Sequence, residues 1–345
     1  MSSVDVIVPC YRYGRFLETC VNSILSQQSS TVRVLILDDA SPDNTEEVGK
    51  DLARRDSRVT FVRHAINKGH IATYNEGIDW VSSDYMLLLS ADDYLLPDAL
   101  NRSTQLMHRR PEVGFTFGNV YELDECGLRK QATGLLASLF EADHRILTGK
   151  EFIELSGALN IVPTPTAVVR TALQKRVGWY KPQLPHAGDM EMWFRLAARA
   201  SVGVFGAYQA VYRRHSRNMS LDYADASNKR RLPDLEQRKI AFDCFLEDSG
   251  AMLPDANALH QRMLWLLACE ALNCASAAYN DADLAFSEQL SAFALRICPK
   301  VSLSWPSAKL AAKRKLGPTG WGSVQRILAG MRKIGSSGEH RTGAE

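Results

Sequence analysis

The 345-residue sequence contains no run of about 18 apolar residues, so no membrane-spanning helix is expected. It has almost no net charge, +2, which removes the global field of a nucleic-acid-binding chain. The opening stretch Met1-Ser2-Ser3-Val4-Asp5 lacks the basic region and apolar core of a secretory leader, and none is expected. The cysteines number seven, and none is spaced as a Cys-x-x-Cys pair or a zinc site. Reduced thiols in a cytoplasmic protein are therefore expected. No internal repeat or low-complexity tract is present. What remains is an ordinary globular composition, 46% hydrophobic and 23% charged, long enough for one large domain or two smaller ones.

Among what is present, the stretch Tyr85-Met86-Leu87-Leu88-Leu89-Ser90-Ala91-Asp92-Asp93 stands out. Its uncharged apolar run suits a strand buried on both faces of a parallel sheet. Two carboxylates follow at the carboxyl end, where ligands bind in open α/β sheets. Unpartnered buried carboxylates are costly, so Asp92 and Asp93 are expected to face solvent or a cation. Their hard oxygens suit Mg²⁺ or Mn²⁺ held by a phosphorylated ligand. The plainer reading is a polar turn before a helix opened by Pro97-Asp98.

The same pattern precedes it. Val4 to Val8, Val32 to Leu37 and Val59 to Val62 read as strands, separated by helical spacings such as Leu17, Val21, Ile24 and Leu25. Alternating strands and helices predict a mostly parallel central sheet flanked by helices. Asp38-Asp39 end the second strand as Asp92-Asp93 end the fourth, and both pairs fall on one sheet edge. After a helix to Arg109 and a strand over Val113 to Phe117, residues 120–147 are weakly patterned. Asn160 to Thr166 is extended and broken by proline. Gly188-Asp189-Met190-Glu191 opens a helix whose first turn favours anions. A strand over Val202 to Tyr208 then leads into the basic loop Tyr212 to Ser220.

From about Asn228 the pattern becomes that of packed helices to about Ile297. The expected division is a sheet domain over 1–225, with halves 1–118 and 119–225, a helical extension over 226–335, and a disordered tail over 336–345. Between Gln289 and Gly338 there are nine basic residues and no Asp or Glu, with Trp305 and Trp321 interleaved. Peripheral contact with an anionic membrane is one reading of that tract. A solvated basic face and a protein partner are the others.

Six short pieces carry a likeness. They are Val8-Pro9-Cys10-Tyr11, Leu37 to Asp43, Asn67-Lys68-Gly69, Ser90 to Asp93, Gly188-Asp189-x-Glu191-x-Trp193-x-Arg195-Leu196, and Tyr212-Arg213-x-His215. In this order they resemble family 2 glycosyltransferases, inverting enzymes of the GT-A fold that use nucleotide-sugar donors, most often of uridine. The resemblance implies that Pro9 and Tyr11 line a base and ribose pocket. It implies that Asp39 accepts from the base with Asp38 beside it, and that Lys68 neighbours the nucleotide. Asp92 and Asp93 match the metal-binding acidic motif, and Asp92 also the nucleotide-sugar site. Asp189 matches the catalytic base, and His215 a position that completes the metal or diphosphate site in some relatives. Ser90 stands where the family often has Asp, and Gly188 where it often has Glu or Asp.

Inverting transfer needs a cation to neutralise the departing diphosphate and a carboxylate to take the acceptor's proton. For Asp189 the plainer reading is a helix N-cap. For His215 it is a hydrogen-bond partner. Trp179 and Trp193 read as packing, and Arg195 as a partner for a carboxylate. His186 is a weaker candidate for acceptor contact, and Asn75 has no assigned role. The expected activity is transfer from a UDP-sugar to a saccharide or lipid-linked acceptor in polysaccharide or glycoconjugate biosynthesis. The alternatives are a nucleotide-sugar-binding regulator without turnover and a nucleotidyltransferase. The absence of a Gly-rich basic phosphate loop after the first strand argues against the last.

Overall fold

A computed structural model describes residues 2–28, 30–130, 143–223, 231–317 and 320–321. The expected disordered tail lies outside these residues. The chain forms two compact units, Met1–Leu221 with Gln237–Leu259, and Asp222–Glu236 with His260–Glu345.

The first unit is built on a ten-stranded sheet. Its strands include β1 (Ser2–Cys10), β2 (Ser30–Asp38), β3 (Val59–Arg63) and β4 (Tyr85–Leu88), all mutually parallel in the order β3-β2-β1-β4. The crossovers are helices α1 (Gly14–Leu25), α2 (Thr45–Arg55) and α3 (His70–Trp80). Leu17, Val21 and Ile24 of α1 are buried against the sheet, as their spacing predicts. Gly77 lets α3 lie on β1, since a Cβ there would stand 2.4 Å from the Ile7 side chain.

Beyond β4 the sheet departs from the mostly parallel expectation. The next elements are β5 (Tyr94–Leu95), α4 (Ala99–Arg109), β6 (Val113–Asp124), β7 (Gly127–Lys130), β8 (His144–Leu147) and α5 (Gly149–Ser156). Then come β9 (Val168–Arg170), α6 (Thr171–Val177), α7 (Gly188–Ala197) and β10 (Ser201–Arg213). β9 lies antiparallel between β4 and β6, while β6 and β10 are parallel. After β8 the chain passes through α5 and enters β9 from the carboxyl edge, so β9 runs back between its two neighbours. β6 also continues past Phe117 into a hairpin with β7, and it spans the expected boundary at 118.

α8 (Arg231–Ser249), α9 (Ala256–Asn280) and α10 (Leu284–Ile297) confirm the helical texture after 228. The sheet unit takes Gln237–Leu259, so its extent differs from the expected 1–225. The second unit packs Met263, Leu267, Ala271 and Ala275 of α9, and Leu290 and Phe293 of α10, in its interior. No helix among the described residues is long and apolar enough to cross a membrane. None of the seven cysteines is in a disulfide.

One buried charge anchors the amino-terminal edge of the sheet. Asp5 interrupts the apolar run of β1 and accepts from Arg33 on β2 at 2.8 and 2.7 Å, and from the Ser82 and Ser83 amides. Burial pushes its carboxyl up, but Arg33, the Ser83 hydroxyl and the two amides more than offset this and hold it below its ordinary value. Asp5→Ala should lower the unfolding free energy by about 1–3 kcal/mol, because the two amides lose their acceptor while the half-exposed Arg33 can rehydrate. The wild-type advantage should be complete above the ordinary carboxylate range and shrink as pH falls through the lowered folded value. Urea unfolding of both proteins across acid pH measures this.

Candidate active site

β1, β2 and β4 end on one edge, and each supplies part of the site. Pro9 lies in β1 with its carbonyl accepting from the Ala91 amide at 3.3 Å. Tyr11 follows in the loop, 40% exposed, with the Arg12 guanidinium 5.2 Å from its ring centre. Asp38 and Asp39 at the end of β2 are both buried. Asp38 is engaged by the Arg63 guanidinium and accepts from the Ser41 amide at 2.9 Å, so it braces the loop.

Asp39 has a different environment. It accepts from the Lys68 amide at 2.7 Å and the Gly69 amide at 2.9 Å, and its Oδ1 lies 2.8 Å from His64 Nδ1. His64 Nε2 faces Glu76 at 3.1 Å, and the Lys68 ammonium donates to the same Glu76 at 2.8 Å. Lys68 thus meets Asp39 through its backbone while its side chain is paired. Sequence reasoning missed His64 and Glu76. The only signal was a histidine directly after the short third strand.

Asp92 and Asp93 are brought together at the end of β4 and are buried, which removes the solvent half of the expectation that they face solvent or a cation. Their hydrogen-bond partners come from the last residue of β10 and the loop after it. Arg213 donates its amide to Asp93 at 2.9 Å and its Nε to the Asp92 carbonyl at 2.9 Å. Asn218 donates to Asp92 Oδ2 at 3.3 Å. His215 Nε2 lies 3.2 Å from the same oxygen, and its Nδ1 accepts from the Arg217 amide at 3.1 Å. A neutral ring with Nδ1 as acceptor carries its proton on Nε2, so His215 donates to Asp92. Burial first, then the neighbouring Asp92, pushes the Asp93 carboxyl well above its ordinary value. Among the described residues no group of three His, Cys, Asp or Glu side chains is arranged to hold a metal by itself.

The loop is fixed from the other side by α1. His215 stacks on Phe16 and meets Tyr13 edge-on, each at 5.3 Å, and the Tyr13 hydroxyl donates to the Arg217 carbonyl at 3.1 Å. The Arg213 guanidinium lies 4.5 Å from the Phe16 ring centre.

Asp189 sits in the first turn of α7, whose N-cap is Ala187, so it is not the cap. It is half-buried and accepts from Thr164 Oγ1 at 2.8 Å. Burial pushes its carboxyl up, against the opposing effects of Thr164, His70, Tyr180 and His186. Tyr74 of α3 packs edge-on against His70 and Tyr180. Burial raises its phenol, and it feels Asp189 first, then Asp92, Tyr13 and Asp93. Asn75 now has a role. It exchanges two hydrogen bonds with the Tyr180 backbone, at 2.9 and 2.8 Å, and so fixes the loop that leads to Asp189.

Glu191 is buried and pairs with Arg195 at 2.7 Å, as expected for Arg195. Trp193 is buried on Phe115. Trp179 departs from the packing expectation, being 58% exposed with its indole N–H donating to Asp79 at 2.8 Å. His186 donates its amide to Gln237 at 3.1 Å. A cavity of about 1030 Å³ lies at the opposite, amino-terminal edge, lined by Asp84, Asn101, Arg109, Arg170 and Thr171, away from the carboxylates.

The sheet unit, with its acidic carboxyl edge, has a GT-A fold. Residues 5–175 match the model of Glycosyl transferase family 2, and the chain belongs to that family. It is 29% identical over 154 residues to the uncharacterized glycosyltransferase EpsJ of Bacillus subtilis, a match covering 44% of this chain and 42% of EpsJ. It is 30% identical over 135 residues to the GalNAc(5)-diNAcBac-PP-undecaprenol beta-1,3-glucosyltransferase of Campylobacter jejuni, covering 39% and 43%. The chain thus spans about two-fifths of the length of these relatives. In fold it is similar to S. aureus TarS 1–349 in complex with UDP-GlcNAc, with a TM-score of 0.60, 14% identity and 91% of each chain covered. It is also similar to the mannosyltransferase PcManGT from Pyrobaculum calidifontis in complex with GDP-Man and Mn²⁺. There the TM-score is 0.52 and the identity 17%, over 90% of this chain and 86% of that one.

The environment of Asp189 gives a signed prediction. A carboxyl raised by folding contributes stability below its unfolded value, and this is lost as pH rises through the folded one. Asp189→Asn keeps an acceptor for Thr164 and removes the buried charge. Its Tm should exceed the wild type's at neutral pH, and the difference should vanish below the ordinary carboxylate range. Calorimetry at both pH values decides it; equal Tm at neutral pH would refute the raised carboxyl.

Proposed function

We propose that the chain transfers a sugar with inversion from a nucleoside diphosphate sugar, of uridine in the first instance, to an acceptor hydroxyl on a saccharide or lipid-linked carrier. The observation that carries this is Asp189, a half-buried carboxyl in the first turn of α7 that accepts from Thr164, on a different element from the Asp92–Asp93 pair after β4. On this reading the proton-accepting group and the diphosphate-holding one stand on separate elements, as a single in-line displacement requires. The Asp189 carboxylate takes the acceptor's proton. The acceptor oxygen bonds to the sugar carbon as the bond to the diphosphate breaks, and the diphosphate leaves with the electron pair. Pro9, Tyr11, Asp39 and Lys68 lie at the donor's base and ribose on this reading, with Asp38 bracing them. TarS bound to UDP-GlcNAc and PcManGT bound to GDP-Man support a nucleotide-sugar donor.

The hard oxygens of Asp92 and Asp93 fit Mg²⁺ or Mn²⁺. Asp92 and Asp93 would hold such a cation together with oxygens supplied by a bound diphosphate. When bound it would neutralise the leaving diphosphate. His215 and Asn218 hold Asp92 in place.

Asp189→Asn should lower turnover by about 10²–10⁴-fold, the usual loss for a general base, with UDP affinity kept. Steady-state rates beside calorimetric UDP binding test this. Near-normal turnover removes Asp189 from the mechanism, and lost affinity makes it a donor-site residue. Asp92→Ala with Asp93→Ala should abolish Mn²⁺-dependent UDP binding. An α-linked donor should give a β-linked product, and retention seen by NMR would overturn the single displacement.

A further inference from the structure

The second unit carries a surface that the transferase chemistry does not use. Leu303 and Trp305 are 89% and 77% exposed, the two most exposed large hydrophobic residues among those described. They flank a corner. A 3₁₀ turn, Pro299–Leu303, ends there, and residues 305–317 then form a helix with Pro306 in its first turn. Side chains three apart in a 3₁₀ turn eclipse, so Lys300 and Leu303 share a face. In the helix that follows, positions 305, 308, 309, 312, 315 and 316 fall on one face. They are Trp305, Ala308, Lys309, Ala312, Lys315 and Leu316, all exposed or half-exposed. The buried side of the helix holds Leu310 and Lys313.

The structure also sorts the basic tract. Lys313 is buried, donating to the Ser276 carbonyl at 3.0 Å and to Asn280 at 2.8 Å, so it serves the interior of the unit. Arg314 donates to Ser291 at 3.0 Å, and Arg296 faces Glu236 at 3.6 Å. Lys300, Lys309 and Lys315 remain beside the apolar stripe. Arg326, Arg332 and Lys333 lie outside the described residues. An apolar stripe that opens on tryptophan, edged by lysine and free of acidic residues, has the character of a helix lying in a bilayer interface. The charge beside the stripe is of one sign, as an anionic lipid surface would match, and none of the sequence from Gln289 to Gly338 is acidic.

We propose that this corner and helix dock the protein on an anionic lipid surface, with Leu303, Trp305 and Leu316 entering the interface and Lys300, Lys309 and Lys315 facing lipid phosphates. The proposal does not depend on the transfer chemistry. It places the protein on the surface from which a lipid-linked acceptor would be drawn.

The test is sedimentation of the full chain with phosphatidylglycerol–phosphatidylcholine vesicles and with phosphatidylcholine alone. Binding should require the anionic lipid and weaken with salt. Leu303→Ser with Trp305→Ser should weaken it by roughly tenfold or more, since burying one such side chain is worth about that factor. Exposed residues bear little on stability, so the Tm of this variant should be unchanged. Lys300→Gln, Lys309→Gln and Lys315→Gln together should remove the salt dependence. Three results would overturn the proposal: no binding to anionic vesicles, undiminished binding by the serine variant, or a lipid-free dimer that this variant converts to monomer, which would make the face a contact between copies.

Discussion

Two adjacent carboxylates at the end of a buried strand set the main constraint on this structure. Asp92 and Asp93 cannot be left without partners in the interior, and the sheet supplies them from far along the chain. β10 runs parallel to β6 and so ends on the same edge as β4. β5, the two-residue strand just after the pair, is antiparallel to β10 at Ala210 and Val211. That pairing sets Arg213 beside both carboxylates and carries His215 and Asn218 to Asp92. The loop from 213 to 218 is therefore an obligate part of the site. Its own anchor is the aromatic group of Tyr13 and Phe16 at the start of α1, which ties the first and last strands of the sheet unit to one edge.

How far the sequence shows this depends on the range of each interaction. β1, β2 and β4 are legible because an unbroken apolar run ending in a carboxylate is a local signal. The position of Asp189 in a first helical turn is equally local. β9 is not legible, since three residues carry no periodicity and its antiparallel direction is set by the long excursion after β6. The burial of Asp93 is not legible either, because its donor, Arg213, lies 120 residues away. Charge counting fails for the same reason. Lys313 looks like part of a basic face, but only the fold shows the Ser276 carbonyl and Asn280 side chain that receive it.

The Asp39 region illustrates a second kind of hidden order. Its motif residues, Asp39, Lys68 and Gly69, do meet, but through backbone amides. The residues that orient Asp39 further are His64 and Glu76, which no motif marked. A carboxylate that receives two amides and an imidazole has little freedom to turn. Whatever it reads in a ligand, it reads with a fixed oxygen.

The glycine at 188 shows how a departure from the family pattern changes the chemistry beside it. An acidic residue there would place a second negative charge next to Asp189 and raise its carboxyl further. Glycine removes that charge and also lets Tyr180 close in, since a Cβ at 188 would stand 3.3 Å from the Tyr180 ring and 3.7 Å from Ile71. Burial raises the Asp189 carboxyl, while the Tyr180 hydroxyl donates to it, which lowers it. Burial is the larger effect, and the carboxyl stays raised. Asp189 thus combines a raised carboxyl with a phenol that donates to it, and Asn75 holds that phenol's backbone to α3. The protonation balance of Asp189 and its fixed position then depend on one neighbourhood, so a change at Tyr180, Asn75 or Gly188 bears on both.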